Sequence, residues 1–152
     1  MLFKFFQKTE KQNTVREHFG GFQDQFTANQ KKAIMCSLFL VANSDGEYHK
    51  KEHQVFEQTA TILGYKLHFA LDDTIDELMT IGREQLFTIL SSLDEGQKDW
   101  YIITVLGMVH ADGVALDKEF EYAMAFFDRM EITVERCENV MKKSQLLMEM
   151  FS

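Results

Sequence analysis

One short pattern occurs twice in this chain, and it constrains the fold more than any other feature. Asp45-Gly46 followed by Lys51-Glu52 recurs as Asp112-Gly113 followed by Lys118-Glu119, every pair separated by the same 67 positions without a gap. The first Asp-Gly step is preceded by Ile34, Met35, Cys36, Leu38, Phe39, Leu40, Val41 and Ala42. Its counterpart is preceded by Trp100, Tyr101, Ile102, Ile103, Val105, Leu106, Met108 and Val109. A helix this apolar all round has no face to give to water, so each is expected to be a buried central helix. An amphipathic helix follows each step. The arrangement predicts two like halves with the apolar helices packed between them in a pseudo-twofold, all-α bundle.

The remaining elements follow from caps and periodicity. Thr27-Ala28-Asn29-Gln30 fits a capping box, with Gln three residues after the Thr cap, and opens a helix reaching about Asn43. Val55, Phe56, Thr59, Ala60 and Leu63 form one apolar stripe on a helix from about Lys50, which Gly64 is placed to cap. Residues 65–73 read as a loop, and Thr74-Ile75-Asp76-Glu77 as a second capping box starting a short helix. Leu86, Phe87, Ile89, Leu90 and Leu93 mark the inner face of the next. Asp94 and Glu95 start the second apolar helix, where acidic residues suit the positive end of the dipole. Phe120, Ala123, Met124, Phe127 and Met130 form a further stripe. Thr133 caps a last helix whose inner face is Val134, Cys137, Val140, Met141, Ser144, Leu147 and Phe151. Residues 1–26 are expected to be an N-terminal arm, interrupted at Gly20-Gly21, and residues 27–152 the helical domain.

Composition narrows the function. The chain has 152 residues, 45% of them hydrophobic, and no proline. That suits one helical domain with a sizeable core. A net charge of −8 opposes binding to nucleic acid, whose affinity comes from Lys and Arg on phosphates. Cys36 and Cys137 are isolated and fall on apolar faces, so buried free thiols are expected rather than a zinc site or a disulfide. No secretory signal or membrane span is read, and the cytosol is the expected compartment. The apolar start of the arm leaves peripheral membrane contact open. No GxSxG, Walker or GxGxxG motif occurs, and no enzyme activity is expected.

The repeated Asp-Gly-x5-Glu carries two readings. The Gly permits a tight turn, and the Glu lies in the first turn of the following helix, near the Asp; paired carboxylates there resemble a hard-cation site. Alternatively, the Glu serves as half of a capping box, because His49 and Leu116 are poor caps, and the Asp bonds turn N–H groups. An EF-hand does not fit, since Val41 and Met108 would occupy the first ligand position. His49 and His53, four apart, could share a metal but read as solvated surface residues. His110 reads as a helix-end residue.

Ala42-Asn43-Ser44-Asp45-Gly46-Glu47 with Glu52, and His110-Ala111-Asp112-Gly113 with Glu119, resemble the paired acidic signature of TerB-like domains, which include tellurite-resistance TerB proteins and the N-terminal domain of DjlA-type co-chaperones. The resemblance covers about residues 27–150. It implies an all-α fold of paired repeats and a bacterial cytoplasmic protein of chemical-stress and tellurite resistance. It also implies a divalent cation on Asp45, Glu52, Asp112 and Glu119. Val114 stands where the first copy has Glu47, so the second turn offers fewer ligands. A helical module that binds protein partners is the expected function, with cation binding at the acidic turns as the alternative.

Overall fold

The computed structural model describes residues 21–111 and 117–151. Its helices are α1 (Ala28–Ala42), α2 (Lys50–Leu63), α3 (Leu71–Leu78), α4 (Arg83–Ser91), α5 (Glu95–Val109), α6 (Asp117–Arg129) and α7 (Val134–Phe151). No strand occurs among the described residues. The fold is an all-helical bundle.

The two apolar helices sit at its centre. α1 packs against α2, α3, α4, α5 and α6, and α5 against α1, α2, α6 and α7. Ile34, Met35, Leu38, Ile102, Val105 and Met108 are all fully buried. Burying a side chain of this kind contributes about 1.5–3 kcal/mol, so these two helices supply much of the core energy. One polar link crosses between them. The Tyr101 hydroxyl donates to Ser37 Oγ at 2.8 Å, and Ser37 donates to the Ile34 carbonyl at 2.8 Å. A buried hydroxyl left without such a partner would cost about 1–3 kcal/mol.

The helix ends repeat at the interval of the acidic turns. Thr27 accepts from the N–H of Gln30, and Asp94 from that of Gln97; each Gln side chain returns to its cap residue's N–H. At the far ends, Asn43 and His110 adopt nearly the same backbone, φ −94 and ψ 7 against φ −98 and ψ 9. α2 closes at Gly64 with φ 70, and its positional counterpart after α6 is Glu131 with φ 60. The next N–H in each copy closes the same bond, Tyr65 to Ala60 and Ile132 to Phe127, both at 2.8 Å. α1 touches α6 and α2 touches α5.

Glu131 holds a left-handed conformation that costs an L-residue about 1 kcal/mol or more and costs glycine little. Glu131→Gly is therefore expected to raise unfolding free energy by about 0.5–1 kcal/mol. Gly64→Ala is expected to lower it, because an L side chain is strained at φ 70 and its Cβ would also displace the end of the Gln23 side chain. Denaturant melts of the two variants check both signs.

Several local expectations are corrected. α3 begins at Leu71, not at Thr74. Thr74 lies inside that helix, where its Oγ1 accepts from the His68 N–H at 2.9 Å, so the apparent capping box is a side chain anchoring the preceding loop. Residues 21–23 are helical, and Gly20, the other half of the expected interruption, lies outside the described residues. Phe22 and Phe26 stack edgewise on each other, and both rings lie against Trp100, so packed structure starts ahead of residue 27. Phe120 is 43% exposed and Val134 58%. Ala123, Phe127 and Met130 of the α6 stripe are buried as expected, and Phe126, outside the stripe, is buried with them. Cys137, Val140 and Ser144 are buried on α7 as expected, and Arg136 clamps that helix to Asp99 and Glu95 of α5 at 2.9 and 2.6 Å. Cys36 and Cys137 are buried free thiols.

Candidate metal centre

The first acidic turn is organised by its own backbone. Gly46, at φ 86, donates its N–H to the Asn43 carbonyl at 3.0 Å, a conformation in which an L side chain would be strained. Asp45 Oδ1 accepts from the Glu47 N–H at 2.9 Å. This leaves Oδ2 facing His49, whose Nε2 lies 3.5 Å away. His49 is the cap of α2, but its backbone N–H is bonded by Glu52 Oε1 at 3.0 Å. The Glu thus performs the capping task expected of it with one oxygen and keeps the other for the interior.

α6 brings the second contribution. Glu119 lies in its first turn, as Glu52 does in that of α2. Its side chain is 2% exposed, that of Glu52 1%. The Glu119 carboxyl lies beside those of Glu52 and Asp45, whose charges act on it. Donor atoms of Asp45, His49 and Glu119 all lie within 4.8 Å of one another, and Glu52 Oε1 is 4.0 Å from His49 Nε2. Three buried atoms converge here without a hydrogen-bond partner: His49 Nε2, Glu52 Oε2 and Glu119 Oε1. Buried polar atoms are paired in most proteins, so three in one cluster mark this as an unusual site.

The electrostatics agree. Burial, and then the neighbouring charges of Glu52 and Asp45, push the Glu119 carboxyl up to about 8. Burial likewise raises Glu52, against the pull of the His49 N–H. Burial also works on Asp45, but the Glu47 N–H and His49 outweigh it and hold that carboxyl below its ordinary value. Carboxylates this close cannot all stay ionised without a proton or a cation among them. Both α2 and α6 aim their N-terminal dipole ends at the cluster, which offsets part of the repulsion.

Of the four sequence-derived ligand candidates, Asp45, Glu52 and Glu119 come together. Asp112 lies outside the described residues, as do Gly113, Val114 and Leu116. His49 belongs to the cluster and is corrected from a solvated surface residue, because its ring tip is buried against the carboxylates. Its spacing of four from Asp45, across a glycine turn, is the signal that could have found it. His53 faces elsewhere, 3.0 Å from the Tyr48 hydroxyl and 3.0 Å from Glu57.

A helical bundle with a buried acidic cluster joining the heads of two helices is the class of protein these features define. The family described as Tellurite resistance protein TerB matches residues 1–68, a stretch that includes α1, the first acidic turn and α2, and over it the chain is similar to that family. No curated protein and no solved structure matches it. No helix among the described residues is long and apolar enough to cross a membrane.

Proposed function

We propose that this chain is a divalent-cation-binding helical domain, in which one cation ties the first acidic turn to the head of α6. The observation that carries the proposal is the convergence of His49 Nε2, Glu52 Oε2 and Glu119 Oε1, all buried and unpartnered, beside Asp45. Asp45, His49 and Glu119 would hold the ion, with Glu52 completing the set. A histidine nitrogen among carboxylate oxygens favours Mn²⁺ or Zn²⁺ over Ca²⁺, which prefers six to eight oxygens. The ion would neutralise the cluster and set the angle between α2 and α6. That makes the domain a cation-dependent scaffold, and a role as a partner-binding module in a bacterial chemical-stress response, for which the TerB likeness speaks, would work through that scaffold.

Titration calorimetry of the chelator-treated protein with Mn²⁺, Zn²⁺, Mg²⁺ and Ca²⁺ tests the proposal. Saturable binding of one Mn²⁺ or Zn²⁺ per chain is expected, weakened at least about 100-fold in the Asp45→Asn plus Glu119→Gln double variant. Absence of heat with all four ions, or an unchanged isotherm in the double variant, would overturn it.

A further inference from the structure

The acidic centre is closed on one side and open on the other. The Glu52 side chain is 2% exposed, that of Asp45 12% and that of His49 32%. The Glu47 side chain is 76% exposed, yet its Oε2 lies 3.7 Å from His49 Nε2. That nitrogen is the buried, unpartnered atom that also faces Asp45 Oδ2 at 3.5 Å and Glu52 Oε1 at 4.0 Å. A carboxylate standing in water thus reaches the same point as the buried ones. We propose that Glu47 is the exchangeable ligand of this centre: it takes a divalent cation from water, stays on the ion's solvent side and sets how fast the ion leaves. The inference rests on the cation reading above.

Two features fit Glu47 for that part. The first is a fixed backbone with a free side chain. The Glu47 N–H donates to Asp45 Oδ1 at 2.9 Å, across a turn held by the Gly46 N–H on the Asn43 carbonyl. The carboxylate can therefore move between water and the ion without disturbing Asp45. The second is the donor set. An ion such as Mn²⁺ favours octahedral surroundings, and one oxygen each from Asp45, Glu52 and Glu119 with the His49 nitrogen leaves positions to fill. A carboxylate on the open side can fill one, and its charge at the mouth draws cations from solution. The duplicated sequence has Val114 at the equivalent position, so only the first turn carries a carboxylate there.

The test compares the chelator-treated full chain with its Glu47→Gln and Glu47→Asp variants, which keep the fold because the side chain is exposed. Each is titrated with Mn²⁺ and with Zn²⁺, and release is timed by stopped-flow mixing with excess chelator. Glu47→Gln is expected to weaken binding about tenfold, nearly all of it as faster release. Glu47→Asp keeps the charge but is one methylene shorter, so a ligand's role predicts a similar loss. Water should enter the vacated position, so the relaxation rate of water protons around bound Mn²⁺ should rise in both variants. Parental affinity and release in Glu47→Gln would overturn the inference. Parental behaviour in Glu47→Asp would do so too, leaving Glu47 as a charge that attracts ions without ligating them, and so would unchanged water relaxation with bound Mn²⁺. Each of these results leaves the cation reading standing, since the parent still binds. Failure of the parent to bind either ion brings down both.

Discussion

In the cation-free protein, Glu119→Gln should remove a loss of stability that the parent suffers as pH rises from about 4.5 to about 8. The sign follows from the direction of the shift. Glu119 is held above its ordinary carboxyl value, at about 8, so the folded state keeps a proton that the unfolded chain releases near 4.3. Its contribution is fully present below the unfolded value and disappears as pH climbs through the folded one. Glu52, also raised, acts with the same sign. Asp45 is lowered and acts oppositely: its contribution is present above the ordinary Asp value and is lost only in stronger acid. Maximum stability without a cation should therefore lie near pH 4–5. From there to pH 8 the decline should be roughly 2–4 kcal/mol.

A neutral amide at position 119 can donate to Asp45 and Glu52 at every pH, so the variant should be the more stable protein at pH 8, by about 1–3 kcal/mol. Adding Mn²⁺ reverses the parent's slope, because the ion takes the place of the proton. Its apparent affinity should rise about tenfold per pH unit until Glu119 is ionised. The variant gains nothing from the ion. Urea melts at pH 5 and pH 8, with chelator and with Mn²⁺, supply all the comparisons. A parent and a variant with the same pH slope would show that Glu119 is not the group carrying the proton.

The second large effect concerns the helix that delivers Glu119. Phe127 is fully buried on α6 and meets Tyr101 of α5 edge to face, with centroids 6.0 Å apart. Phe127→Ala removes that contact and leaves a cavity beside the central helix, at an expected cost of about 3–5 kcal/mol. The Glu119 head of the same helix should then be held less firmly, and Mn²⁺ affinity should fall although no ligand has changed. Saturating the ion should recover about 2.7 kcal/mol at a hundredfold excess over its dissociation constant, if the site survives. Calorimetry and melts on this variant distinguish a scaffold coupled to its ion from one that merely carries it. Cation affinity equal to the parent's would break the coupling.

The lesson about legibility is uneven across the chain. Gln30 after Thr27 and Thr133 before α7 announced helix starts correctly, because a cap acts over three residues and needs nothing distant. Thr74-Ile75-Asp76-Glu77 looked the same and was not a cap. There the hydroxyl bonds the His68 N–H, across a loop whose path is a matter of packing. Phe120 and Val134 satisfied the helical period of their stripes, but period gives only relative angle. Which edge of a stripe reaches the core depends on how the helix is rotated against its neighbours.

The first acidic turn, the two apolar helices and the capping role of Glu52 could be read residue by residue, since each depends on conformational preferences and hydrophobic spacing within about one or two helical turns. The meeting of Glu119 with Asp45 and Glu52, the recruitment of His49, and the cleft between α4 and α6 could not. They exist because burial of α1 against α5 brings the heads of α2 and α6 to one point and leaves a cleft lined by α4 and α6. Distances across a core are set by the packed volume of many side chains at once, and no short segment contains that information.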